Sequence, residues 1–532
     1  MLKSKFPFYL ILLAVLFSCA KRGHITGGEK DTTPPVITSS SPKNFSTGFT
    51  GNFIKINFNE YIKVKDINKQ LIISPPMKNA PEIVPMGSAS KFITIKLKDT
   101  LEPNTTYSFN FGQSISDNNE GNPYSQFKYV FSTGTSIDSL KLGGTIKDAK
   151  SKKTDNFVSV MLYEASKFND STVYKKQPHY VTNTLDSLKT FTLENLKAGS
   201  YYLVALKDEN KNYRFDPKTD KIAFFKNPIN VPNDTSYNLG LFKEQLPFKA
   251  EKPKQVSANQ LLMGHEGKPK NIVVSIKDKG VDLPVVVTKF EKKDSLQLWV
   301  PKIKTDSLQI SISSNQYSKS FSVKTKEMKV IDTLSFKTKQ TGLLDFRDSF
   351  TVLPSTPLVK IDNSKIRIIK KDSTEVAFTS KYKEWENELV FDFKKEEDQK
   401  YSITLLPGAL KDFYEKQNDT LSYTVSTRKL TDYGNLKIVL ENVNRFPILV
   451  ELLDKDENVI ISQYSEKETE FNFETVEPQK YILRVIYDDN KDGEWTTGSY
   501  LEKRLPEEVI YHPKEIDLRA NWDWEERFIL SK

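Results

Sequence analysis

The chain has 532 residues, more than one hydrophobic core can organise, so several domains are expected. With 37% apolar residues, 33 Phe and 23 Tyr it holds ample material for packed cores, which excludes general disorder. The formal charge of +9 comes from 78 basic and 69 acidic residues mixed in strings such as "KDINK" and "FKKEEDQK". Without a concentrated basic stripe, a nucleic-acid partner is not expected.

The first segment reads "MLKSKFPFYLILLAVLFSCAKRG": Lys3 and Lys5, an apolar run from Phe6 to Phe17, then Ser18. Such a run is too short for an ordinary spanning helix and fits a secretory signal peptide over 1–18. Cys19 follows and is the single cysteine of the chain. "LFSC" resembles a bacterial lipobox, which implies a lipidated Cys19 as the first mature residue. Membrane attachment through acyl chains then anchors the protein without spanning. By the same resemblance, Ala20 implies sorting to the outer membrane, with the periplasmic or cell-surface face left open. A cysteine committed to lipid leaves no internal disulfide, no thiol nucleophile and no cysteine zinc site.

Residues 19–34 form a polar tether ending in "DTTPP". Strand patterns with period two follow at 53–59, 91–99, 106–112 and 127–134, separated by "SPPMKN", "LEPNT" and "SDNNEGNP". No segment carries a sustained helical period. The expected fold class is all-β, built of tandem sandwiches.

Internal repeats divide the rest. Tyr107 and Thr133 are 26 residues apart, and so are Tyr401 and Thr427. "FTLENLKAGSYYLVALKDENKN" (191–212) aligns without gaps on "FNFETVEPQKYILRVIYDDNKD" (471–492). The expected modules are A1 (35–136), B1 (137–244), a linking β domain (245–338), A2 (339–430) and B2 (431–532), arranged as a rod.

The string "DTTPPVITSSSPKN…FIKINFNEYI…LEPNTTYSFNFGQSISDNNEGNP…YVFSTG" resembles a bacterial Ig-like domain of the S-layer-protein type. A2 shares the resemblance loosely, lacking the Pro-Pro opening. B1, with "LGGTIKDA" and "L-x-x-G-x-Y-x-L-x-A", resembles a transthyretin-like, carboxypeptidase-regulatory β-sandwich, and B2 follows as its repeat. The whole order is similar to envelope lipoproteins of Gram-negative bacteria. The resemblance gives location and shape and names no activity.

Two loops carry candidate ligand chemistry. Asp208, Asn210, Asn212 and Asp216 follow one strand of B1, and Asp488, Asn490 and Asp492 follow its counterpart in B2. Alternating oxygen side chains are how a calcium loop begins, but the glycine and bidentate glutamate of an EF-hand are not both in place in either loop. Asx residues that bond their own backbone give the other reading, a hairpin turn. Both readings, calcium and turn, stand at this stage. Trp522 and Trp524 could stack on a sugar or a partner protein, or hold the last strand in the B2 core; Trp299 and Trp385 read as core strand residues. The four histidines lie far apart, and neither a metalloprotease motif, a nucleophile elbow nor a Walker loop occurs. The expected function is therefore non-enzymatic: an outer-membrane lipoprotein for interaction or scaffolding with an envelope protein partner, as an accessory of assembly or transport complexes. The alternative is a glycan-binding surface lipoprotein, and the third reading is a hydrolase.

Overall fold

The computed structural model describes residues 31–185, 189–290, 294–315 and 317–530. The signal segment and Cys19 lie outside the described residues. Almost every element is a strand, and the four-residue helices Ile67–Gln70 and Thr172–Lys175 are the longest helical pieces among the described residues. No helix there is long and apolar enough to cross a membrane.

In A1 the strand Phe53–Val64 pairs with Ile37–Ser41, Ser90–Lys96 and Ile115–Asp117. A second sheet of Ile72–Ser74, Thr106–Asn110 and Lys128–Ser132 faces it. Alternation places Ile54, Ile56, Phe58, Ile93 and Ile95 between the sheets against Phe109 and Phe131. Tyr107 then pins the corner before its own strand: the Glu102 N–H donates to its hydroxyl at 2.9 Å. The Thr133 hydroxyl donates to the Glu102 carbonyl at 2.7 Å, so both side chains hold the backbone of the same residue. A2 repeats the device. The Glu396 N–H donates to the Tyr401 hydroxyl at 2.7 Å, and the Thr427 hydroxyl donates to the Glu396 carbonyl at 2.5 Å. The shared spacing of 26 residues is the distance from a tyrosine corner to the strand that closes it.

B1 and B2 share one topology. In B1, Thr190–Leu196, Leu140–Asp148 and Ser236–Leu241 form a three-stranded sheet whose last pair is parallel. In B2, Glu470–Val476, Gly434–Glu441 and Asp523–Ile529 do the same. The facing sheets centre on Ser159–Glu164 with Gly199–Lys207, and on Ile448–Leu453 with Lys480–Tyr487. Tyr201 and Tyr481 donate to the carbonyl four residues upstream, Lys197 at 3.1 Å and Glu477 at 2.8 Å. The linking segment packs its own two antiparallel sheets around Leu261, Met263, Leu298, Ile310 and Val323. Trp299 is fully buried there and donates to the Thr288 hydroxyl at 2.9 Å.

The expected rod is not what forms. The loop after Lys480–Tyr487 reaches back to B1, and Tyr500 joins a B1 cluster with Val173, Phe215, Phe224 and Phe242. Burying one large aromatic side chain removes up to about 200 Å² from water, which favours the doubled-back arrangement over an extended one. The four core strand patterns of A1 match expectation, as does the lack of long helices among the described residues, whereas Trp385 differs. It occupies the hairpin tip between Phe378–Lys383 and Glu388–Phe393, not a strand.

Candidate functional site

The two acidic loops hold their first aspartate in the same way. Tyr213 N–H donates to Asp208 Oδ2 at 2.7 Å, and Gly493 N–H donates to Asp488 Oδ2 at 2.8 Å, five residues on in both cases. Asn212 and Asp492 each accept from the backbone two residues later, Arg214 at 2.8 Å and Glu494 at 2.9 Å. Asn210 donates to the Thr219 hydroxyl at 3.1 Å and Asn490 to the Thr496 hydroxyl at 2.7 Å. Asp216 caps the next turn, accepting from Lys218 N–H at 3.0 Å. These are Asx-type bonds, made possible by short side chains that reach their own backbone.

Each loop is closed by a second buried carboxylate that the alternate spacing did not single out. Asp220 is fully buried and accepts from Glu209 N–H, Asp216 N–H and the Thr219 hydroxyl. Glu507 accepts from Thr496 N–H at 2.7 Å and Asn490 N–H at 3.3 Å. Burial pushes the Asp208 carboxyl up, and the Asp220 charge adds to the shift. Asp208 Oδ1 is buried with no protein partner, the one ligand-type oxygen of the two loops in that position. Among the described residues no group of three or more His, Cys, Asp or Glu is arranged to hold a metal ion.

The C-terminal tryptophans stack on each other, ring centroids 5.9 Å apart and planes 8° from parallel. Trp524 lies in register beside Leu436 and is half-buried against the B2 core, its indole N–H donating to Glu526 at 2.9 Å. Trp522, just before the strand begins, is 42% exposed and carries the Arg519 guanidinium 5.2 Å from its ring. Asn435, Lys437, Asp523 and Glu525 line a groove of about 600 Å³ together with Leu436 and Trp524. The histidines are dispersed. His179 sits 3.5 Å from Glu164, His512 3.2 Å from Glu526, and His265 bonds the Gly267 carbonyl; His24 lies outside the described residues.

The loop that carries the B2 acidic residues also builds a clasp. The Tyr500 ring meets Tyr174, Phe215 and Phe224 of B1 at 5.8, 6.5 and 5.2 Å. Its N–H donates to the Glu244 carboxylate, and Thr497 donates to the Lys243 carbonyl at 2.7 Å. Lys503 covers the Tyr500 ring at 3.9 Å while pairing with Asp170 at 2.8 Å. Gly498 permits the approach, since a Cβ there would lie 2.6 Å from the Phe242 ring. A second contact joins Lys152 N–H to Glu457 at 3.1 Å. Beside the clasp opens a cavity of about 710 Å³ to which four modules contribute: Lys243 and Glu244 of B1, His265, Gly267 and Lys268 of the linking domain, Trp385 of A2 and Trp495 of B2. Sequence reading assigns neither tryptophan to a site: Trp385 is expected as a core strand residue, and Trp495 follows the acidic string as loop.

Comparison with known proteins places the first module. No curated protein matches the chain. Among solved structures the chain is similar, at 12% identity, to the S-layer protein rSbsC(31-844), over 92% of this chain and 68% of that one, with a TM-score of 0.16. It is similar at 12% to the I9-I11 tandem from titin, over 53% of this chain and 100% of that one, TM-score 0.12. It is similar at 11% to the Bacteroides ovatus protein SGBP-B of a mixed-linkage glucan utilization locus, in complex with a mixed-linkage heptasaccharide, over 83% of this chain and 99% of that one, TM-score 0.17. Residues 31–133 match the bacterial Ig-like domain family, and their two-sheet core and tyrosine corner agree with that match.

Proposed function

We propose that the chain is a non-enzymatic binding and scaffolding protein of the cell envelope, held at the outer membrane by lipid on Cys19. The observation that supports it is the clasp between B1 and B2: the aromatic cluster around Tyr500 fixes distant modules relative to one another. A protein whose buried contacts go into module geometry is suited to holding partners at set positions. Its partner would be an envelope protein, as an accessory of an outer-membrane assembly or transport complex. Metabolic labelling with a palmitate analogue tests the anchor, with label on the wild type and none on Cys19→Ala. Crosslinking in intact membranes tests the partner. Stoichiometric recovery with an outer-membrane barrel supports the reading, and a purely monomeric solubilised protein counts against it.

The exposed Trp522 face favours a second reading, adhesion to a surface glycan. In that case Trp522→Ala weakens cell-surface glycan binding while leaving the melting temperature in place. Loss of stability without loss of binding removes this reading.

A further inference from the structure

We infer that the four-module cavity beside the clasp is a binding site for a neutral oligosaccharide. Its size, about 710 Å³, falls in the range of small-ligand sites, which span roughly 300–1,000 Å³. Two indoles line it from different modules, Trp385 from A2 and Trp495 from B2. Both are held in place by the backbone around them. The Lys289 N–H donates to the Trp385 carbonyl at 2.7 Å, and the Trp495 indole N–H donates to the Glu507 carbonyl at 3.1 Å. An indole offers a flat apolar surface fixed by two torsions, so it presents stacking area at little entropic cost.

The polar lining selects the ligand class. Lys243, Lys268 and Lys289 stand against Glu244, Asp294 and Glu494, so the lining charges balance. Lys268 and Glu494 pair across it at 2.7 Å. A balanced set of this kind does not favour an anion or a cation. It offers both donors and acceptors to a ligand whose edges carry hydroxyl groups. Hydroxyls are donors and acceptors at once, and the C–H faces of a pyranose match the indoles. A neutral oligosaccharide combines these two surfaces, whereas a peptide strand would need an unpaired sheet edge along the cavity.

The site also depends on how the modules are closed. Glu244 and Thr497 both line the cavity and both belong to the clasp, through Tyr500 N–H and the Lys243 carbonyl. Opening the clasp therefore separates the walls, and a ligand that touches both stabilises the closed arrangement.

This inference goes beyond the scaffolding reading and is independent of Trp522 and of the membrane anchor. The test is isothermal calorimetry on the full chain in detergent with cellohexaose, xylohexaose, maltohexaose and chitohexaose at millimolar concentration. At least one of the four is expected to bind. Trp385→Ala and Trp495→Ala are each expected to weaken that binding about tenfold or more. Trp385→Phe and Trp495→Phe keep an aromatic plane and are expected to lose only a few-fold, which separates stacking from misfolding. Trp522→Ala, outside the cavity, is expected to leave the affinity in place. Silence of all four sugars overturns the inference, as does binding that is lost on Trp522→Ala and kept in the Trp385 and Trp495 variants. Sugar binding without a co-purified envelope partner would leave this site standing and remove the scaffolding reading.

Discussion

Tyr500 of B2 meets Phe224 of B1 edge-to-face, ring centroids 5.2 Å apart and planes at 85°. Its hydroxyl is buried without a partner, and burial pushes the phenol up. Removing the ring should cost about 3–5 kcal/mol of clasp stability, the range for deleting a buried aromatic. Tyr500→Ala is therefore expected to expand the protein in small-angle scattering while B2 keeps its own melting transition. Tyr500→Phe has the opposite sign. It deletes an unsatisfied buried hydroxyl, worth about 1–3 kcal/mol when left without a bond, and should leave the clasp as stable or more so.

Gly498 makes a second test of the same contact. A methyl group there would sit 2.6 Å from the Phe242 ring and 2.9 Å from the Arg504 carbonyl. Overpacking of this kind costs about 1–3 kcal/mol. Gly498→Ala is expected to loosen the clasp, seen as faster limited proteolysis of the 243–250 connection, with no change in the A1 core.

Asp208 predicts a pH dependence. Burial raises its carboxyl above the ordinary value of 3.8, with Asp220 adding to the effect. An acid whose folded value is raised binds more protons folded than unfolded, so stability falls as pH rises from about 3.8 through the raised value. Above that window the destabilisation is complete, and below it the penalty is absent. Asp208→Asn should accordingly raise the melting temperature at neutral pH and leave it little changed near pH 3. Millimolar Ca²⁺ decides between the two readings of the loop. A calcium site requires a rise in melting temperature that Asp208→Asn abolishes, and an Asx turn predicts no rise.

Arg484 and Glu451 form a buried ion pair at 2.6 Å, with side chains 3% and 10% exposed. Glu451→Ala leaves the guanidinium buried with Tyr511 at 3.2 Å and the Lys150 carbonyl at 3.5 Å as its bonds. Breaking such a pair from one side costs about 3–5 kcal/mol. Chemical denaturation should show the loss in the B2 transition, with A1 and A2 unaffected.

Much of the fold was legible because it is local. A strand with one buried face alternates every second residue, so "FIKINFN" and "KFITIKLKD" announce Phe53–Val64 and Ser90–Lys96 directly. The duplications were legible too, since Tyr107 with Thr133 and Tyr401 with Thr427 serve one corner and must keep their spacing. Asp208 and Asp488 were visible as paired oxygens, but their closing partners Asp220 and Glu507 were not. The two loops differ in length, so the second carboxylate falls outside the gapless match.

By itself the sequence determined the β class, the repeated modules and the first aspartate of each loop. These follow from periodicity and from side chains that bond their own neighbourhood. Only the tertiary structure decided that B2 folds back on B1, that Tyr500 is the wedge, and that Trp385 and Trp495 line one cavity. Those contacts join residues far apart in the chain, and their selection depends on complementary surfaces that leave no period in the sequence. A lone Tyr in a polar loop looks the same whether it faces water or fills another module's aromatic pocket.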